Sequence, residues 1–224
     1  MQPTLLTERL MLRPRSIDDL EACLAMDREP EVLRYVAGPR EDPAAHRVFV
    51  AARIGARFPT GMGYWTVTAR DAPARFLGWV CLIPVDGTGP EIEIGWRFQP
   101  AVWGRGIATE AARRLLAYAD EDLGIPRIVA DIHDDNAASR RVAEKAGLVD
   151  AGPIERGGVS GRRYVRAGGR GAGPPAAEPG PQPACFGGGP PKPRQSSSFV
   201  RSAAVTGTCS GRPRAMAPSE RPFR

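Results

Sequence analysis

The sequence predicts a mixed α/β fold, and three observations predict it. An alternating segment, Glu91 to Phe98, breaks at Pro100, enters a Gly-x-Gly turn and restarts as an Ala-rich helix. The other periodic segments fall in the order strand, two helices, three strands, helix, strand, helix, strand, with no internal repeat. Beyond residue 166 the composition changes abruptly, which confines the fold to residues 4–166 and leaves 167–224 as an appendage.

The elements follow in order. Leu10 to Arg13 reads as a first strand, and Ser16 with Asp19 caps a helix with Ile17, Leu20 and Leu24 on one side. A second helix is expected from Pro43, whose fixed φ suits a first turn, to about Phe58. Tyr64 to Ala69 and Phe76 to Pro84, joined by RDAPAR, read as the arms of an antiparallel hairpin. In the next strand Ile92, Ile94, Trp96 and Phe98 share one face and Glu91, Glu93, Gly95 and Arg97 the other, so one face packs and the other can carry chemistry. The helix after Gly106 should end near Gly124; Arg127 to His133 is a strand, Asn136 to Ala146 a helix closed by Gly147, and Tyr164 lies in a final strand.

The turn at Gly104, Arg105 and Gly106 is the chemical signal. A strand that stops there and restarts as a helix aims several unpaired N–H groups at one point, with the helix dipole behind them. The two glycines let a phosphate approach closely. The dinucleotide fingerprint does not fit, because Thr109 stands where a third glycine is needed and Asp131 comes too late; the P-loop fails for want of Gly-Lys-Ser/Thr.

Read together, EIGW, WGRGIATEA and NAASRRVAEKAGL resemble the GNAT superfamily of N-acetyltransferases, in the branch that includes the ribosomal-protein N-terminal acetyltransferases, and TERLMLRPRSIDDLEA resembles that branch's first strand and helix. The resemblance covers residues 4–166. It implies a mostly antiparallel sheet with a splayed parallel strand pair and flanking helices, and an enzyme that uses acetyl-CoA as co-substrate. It further implies that Trp103, Gly104, Arg105, Gly106, Ile107 and Ala108 hold the CoA pyrophosphate through backbone N–H groups, and that Trp96, Arg97 and Phe98 run beside the pantetheine arm. Asn136 is expected both to cap its helix and to face that arm. Arg34, Tyr35, Tyr64 and Trp65 lie in the segments that line the acceptor side, where Arg34 either selects an acceptor carboxylate or phosphate or is an exposed arginine.

Acetyl transfer to an amine needs a proton acceptor, an oxyanion stabiliser and a proton for the departing thiolate. An α-amino group with a pKa near 8 costs about 1 kcal/mol to deprotonate at neutral pH and a lysine about 4 to 5, so an N-terminal or small-molecule amine is the easier acceptor. Glu93 is the first candidate base and Glu91 the reserve; the competing reading makes both solvated strand carboxylates. Related enzymes often protonate the thiolate with a tyrosine on the last motif helix, but Ala143 holds that position, and Ser139 is the alternative donor. His133 reads as a strand-end residue and His46 as a surface residue, and no metal-ligand spacing is present.

Of 31 Lys and Arg and 25 Asp and Glu, 23 of each fall in residues 1–166, so the net charge of +6 lies wholly in the tail. The charge-balanced body argues against a nucleic-acid-binding protein, and the longest apolar run, Leu77 to Val85, is too short to span a membrane. No secretory signal is visible, and four cysteines without disulfide or zinc spacing, of which Cys23 and Cys81 read as core thiols, favour a reducing cytoplasm. The tail, with 10 Gly and 11 Pro in 58 residues, is expected to be disordered; it reads as a solvated extension, a basic arm or the product of a shifted reading frame. An acyl-CoA-binding module with little turnover, acting through partners, is the alternative to the enzyme, and a homodimer is compatible with either.

Overall fold

The computed structural model describes residues 2–36, 39, 41–87 and 89–167. The tail expectation, with Cys185 and Cys209, therefore lies outside the described residues. The chain order is β1 (Leu5–Leu6), β2 (Leu10–Pro14), α1 (Leu20–Asp27), α2 (Pro43–Gly55), β3 (Gly63–Ala69), β4 (Phe76–Pro84), β5 (Ile92–Phe98), α3 (Ile107–Glu121), β6 (Arg127–His133), α4 (Ala137–Ala146), β7 (Val149–Arg156) and β8 (Val159–Ala167). The strands form one sheet in the order β1-β2-β3-β4-β5-β6-β8-β7. Every neighbouring pair is antiparallel except β5 and β6.

That exception shapes the molecule. β5 pairs with β4 along its whole length, from Gly78↔Phe98 to Pro84↔Ile92. Its parallel pairing with β6 ends after Ile92↔Ile128 and Glu93↔Val129. Beyond Glu93 the two strands separate, and the backbone amides of β5 that face β6 have no ladder partner there.

Strand alternation divides the core between the two faces of the sheet. Trp65, Val67, Val80, Leu82, Ile94 and Phe98 pack with Ala111, Ala112, Leu115 and Leu116 of α3 and Ala143 and Ala146 of α4. Tyr64, Trp79, Cys81 and Ile83 face the other way, against Leu20, Cys23 and Leu24 of α1 and Val50 of α2. The alanine stripes bring α3 and α4 close to the sheet, while the opposite face carries large aromatic and charged side chains.

The start signals act as expected. Ser16 N–H donates to Asp19 Oδ2 at 3.0 Å, and Asp42 Oδ1 accepts from Ala44 N–H at 2.9 Å ahead of Pro43 at the first turn of α2. Two strands were not anticipated. β1 is two residues long, and β7 contains Gly152 and Pro153, which argue against a strand in a sequence; as the sheet's edge it tolerates both, and its partner β8 lies inside, beside β6. α2 ends at Gly55, not Phe58.

Candidate active site

The cleft opens where β5 and β6 part and encloses about 550 Å³. At one end the chain leaves β5, makes a short 3₁₀ turn at Pro100–Val102 and enters α3 through two glycines in left-handed backbone, Gly104 at φ 71° and Gly106 at φ 77°. A side chain at either position would be strained, and the space where a Cβ of Gly104 would sit is empty. Trp103 Nε1 donates to Phe98 O at 2.8 Å and fastens the turn to the end of β5.

The amide groups of residues 104–109 find no backbone acceptor among the described residues; the first ladder bond of α3 runs from Glu110 N–H to Gly106 O at 3.0 Å. These donors and the dipole of a 15-residue helix converge on the cleft mouth, a seat for a diphosphate. The seat is braced from beneath. The Glu110 carboxylate accepts from Thr7 Oγ1 at 2.6 Å and Arg9 Nε at 2.7 Å, bonds that, against the cost of burial, hold its carboxyl below the usual range.

Gly104, Gly106, Ile107, Ala108 and Trp103 all line the cleft, but Arg105 does not: its carbonyl accepts from Arg9 Nη1 at 3.3 Å and its side chain is exposed. Trp96, Arg97 and Phe98 line it together although they alternate in direction, because the splay opens the edge of β5 and both of its faces border the gap. Asn136 accepts from Ser139 N–H at 3.0 Å as the cap of α4, and both residues line the cleft. The Ser139 hydroxyl makes no hydrogen bond among the described residues and is free to donate. Ala143 is wholly buried against α3 and the sheet and brings no proton donor to the gap.

Glu93 stands at the last paired step before the strands part. Its carboxylate has no hydrogen-bond partner among the described residues, and burial pushes its pKa up to about 7, with Asp131 pushing the same way and Arg156 and Arg53 pulling against. A carboxylate poised near neutrality, free to accept, suits a general base. Glu91 does not share this position. It lies before β5 where the strands are still paired, its carboxylate engaged by Arg163 at 2.8 Å and Arg127 at 3.6 Å, and it does not line the cleft. The reserve base is thereby removed.

Cys81, the register partner of Gly95, also borders the cleft, and its Sγ sits 3.0 Å from where a Gly95 Cβ would be. Burial, and next the charge of Glu93, push this thiol up to about 12, so it stays protonated and is a poor nucleophile.

The acceptor end corrects other expectations. Trp65 is fully buried on the α3 face, its Nε1 donating to Pro3 O at 2.8 Å, and it cannot touch an acceptor; the alternation that turns Tyr64 toward α2 turns Trp65 away. Tyr64 lies beneath the cleft, its hydroxyl accepting from Arg53 Nη2. Arg34 and Tyr35 do line the cleft, Arg34 exposed and stacked 5.3 Å over the Tyr35 ring. Tyr35 Oη donates to Asp135 O at 3.1 Å and its ring lies 5.0 Å from His133, so this segment straps across to the end of β6. His133 Nδ1 accepts from Asp135 N–H at 3.1 Å and supports the strap. His46 is not a surface residue: its Nε2 lies 3.1 Å from Asp27 Oδ2, and its side chain is 12% exposed. Asp27 also takes Arg97 Nη1 at 2.8 and 3.0 Å. The cleft residues missed in the sequence, Arg53, Trp79 and Asp131 among them, carry no local motif; only their strand or helix face could have flagged them.

A gap with unsatisfied amides at its mouth, suited to a diphosphate, and a buried carboxyl pushed up to about 7 deeper in fits the layout of a CoA-dependent acyltransferase. The family model described as "Acetyltransferase (GNAT) domain" matches residues 9–149, and the chain belongs to this family, whose enzymes use acetyl-CoA as co-substrate. It is 35% identical over 156 residues to the FsC-acetyl coenzyme A-N(2)-transacetylase of Aspergillus fumigatus, a match covering 66% of this chain and 65% of that protein. A crystal structure of an acetyltransferase from Agrobacterium tumefaciens superposes with a TM-score of 0.61 at 28% identity, covering 74% of this chain and 95% of the other. The fold is also that of RimL, a ribosomal L7/L12 α-N-protein acetyltransferase solved with coenzyme A, at a TM-score of 0.60 and 16% identity over 74% of this chain and 98% of that one. No helix among the described residues is long and apolar enough to cross a membrane, and no group of three or more His, Cys, Asp or Glu there could hold a metal ion.

Proposed function

We propose that the protein is an N-acetyltransferase that moves the acetyl group of acetyl-CoA to a primary amine by direct attack on the thioester. The observation that carries this reading is the placement of Glu93, unpaired and pushed up to about 7, at the point where β5 and β6 separate. The turn and first helical turn at residues 103–108 hold the pyrophosphate, with Trp103, Gly104, Gly106, Ile107 and Ala108 at the cleft. Unladdered amides of β5 face the reacting carbonyl. Glu93 takes the proton of the ammonium, directly or through a water, and the Ser139 hydroxyl gives one to the departing thiolate.

The acceptor is an amine of low basicity, an α-amino group of a protein N-terminus or of a small molecule, because Glu93 at about 7 removes a proton from a group near 8 at far lower cost than from a lysine near 10.4. The name of the Aspergillus relative specifies an N(2) acceptor and that of RimL an α-amino group, both consistent with this choice. A protein N-terminus, as in the ribosomal-protein branch, and a small free amine are the two forms of the proposal. The test is thiol release from acetyl-CoA by the purified protein against peptide N-termini, amino acids, polyamines and aminoglycosides. Turnover with α-amines and not with polyamines is expected; binding of acetyl-CoA without turnover of any acceptor would replace the enzyme by a binding module.

A further inference from the structure

On the inner side of the cleft Arg53 carries a charge that, among the described residues, no carboxylate contacts, although the charge of Glu93 acts on it from a distance. Arg97 is neutralised by Asp27, and Asp131 by Arg163 and Arg156. Arg53 reaches the same cleft from the inner side of α2. Its Nη2 donates to the neutral Tyr64 hydroxyl, its guanidinium lies 5.4 Å from the Tyr64 ring and 5.5 Å from the Phe49 ring, and among the described residues it forms no ion pair. Its contacts are all with uncharged groups, the charge of Glu93 acts on it without a hydrogen bond, and its remaining donors are available to a ligand.

Strand register sets its place relative to the base. Tyr64, Cys81 and Gly95 are successive partners across β3, β4 and β5, and the next row joins Ile83 to Glu93. Arg53, anchored on Tyr64, borders the cleft with Cys81, Ile83 and Glu93, so both charged groups flank one space on one face of the sheet. They do not pair with each other, which leaves that space to a molecule bearing groups for both. Arg34, by contrast, is exposed and stacks over Tyr35.

We propose that Arg53 selects the acceptor by binding a carboxylate attached to the carbon that bears the reacting amine, so that the acceptor is a small free amino acid or close analogue. In such a molecule the ammonium faces Glu93 and the carboxylate faces Arg53 as a charge-assisted, two-pronged pair. Glu93 first takes one proton from the ammonium; the free amine nitrogen then bonds to the acetyl carbon as the carbon–sulfur bond breaks, and the second nitrogen proton, released as the amide forms, replaces the one that Ser139 gives to the thiolate; Arg53 is unchanged throughout. A protein N-terminus replaces that carboxylate with a neutral amide and leaves Arg53 unanswered. This inference rests on the N-acetyltransferase reading above.

The test uses the full chain with acetyl-CoA, comparing free amino acids, their carboxamides and tripeptides with the same first residue. The free acids are expected to exceed both in kcat/KM by about 30-fold or more, since one buried ionic contact is at stake. In Arg53→Met the advantage should vanish through KM, with Arg53→Lys between, and the unfolding midpoint and acetyl-CoA affinity of each variant are measured alongside. Should Arg53→Met fail to fold, the acid-to-amide ratio of the parent still decides. Acids and amides turned over alike, or tripeptides preferred, would overturn the assignment of Arg53 and leave acetyl transfer standing; no turnover of any compound would overturn both.

Discussion

The two ends of the cleft are made of different material. At the mouth the working groups are main-chain amides of residues 104–109, oriented by two left-handed glycines and the start of α3. At the acceptor end they are side chains, Glu93, Arg97 and Arg53, and two of them are held by residues of other elements: Asp27 of α1 holds Arg97, and Tyr64 of β3 holds Arg53. A backbone seat depends on conformation and tolerates most side-chain changes, whereas a seat of buried charges depends on every partner. Substitutions at the two ends should therefore fail in different ways.

Asp27→Asn should show the largest effect. It leaves Arg97 inside the fold without its counter-charge, and denaturant unfolding should report a loss of about 3–5 kcal/mol. A loss below about 1 kcal/mol would mean that water already compensates Arg97. Gly106→Glu comes next and strikes the opposite end: a carboxylate enters the anion seat in strained backbone, and calorimetry should find acetyl-CoA binding weakened about 100-fold or more, roughly 3 kcal/mol, in a folded protein. Unchanged affinity would remove the turn from the binding site.

Ser139→Ala should lower kcat by about tenfold and leave the unfolding midpoint unmoved, because the Asn136 cap bonds the Ser139 amide and not its hydroxyl. An undiminished kcat would assign thiolate protonation to water. Glu110→Gln is the smallest. Its folded pKa is depressed, so the stability it adds is present above the unfolded carboxyl range and lost as pH falls through the folded value. The exposed side of the pair keeps the loss to about 1 kcal/mol or less at pH 7, and parent and variant should converge under acid.

The same contrast decides what a reader of the sequence can see. The glycine turn, α3 and the capped α4 are local patterns, and the parallel splay follows from the family resemblance they carry. Arg53 and Asp27 carry no such pattern: each is an ordinary helix residue until the sheet brings Tyr64 and Arg97 beside it. Trp65 shows the cost of treating a segment as a unit, since the two-residue period of β3 sends Tyr64 and Trp65 to opposite faces. Glu91 shows a related limit of periodicity, which places it on the same side as Glu93 but is blind to Arg163 arriving from β8. β7 was hidden by Pro153 and Gly152, which are admissible only because β8 folds in between and leaves β7 at the edge.

Whether Glu93 is the base is read from the pH dependence of kcat for the parent and Glu93→Gln. With the folded carboxyl at about 7, the parent's kcat should rise through that pH to a plateau, as only the ionised form accepts the amine proton. The variant should be about 100-fold slower or more at neutral pH and should gain steadily with pH as hydroxide and free amine replace the base. A variant that matches the parent's rate and inflection across the range would return Glu93 to an ordinary strand carboxylate and contradict the account.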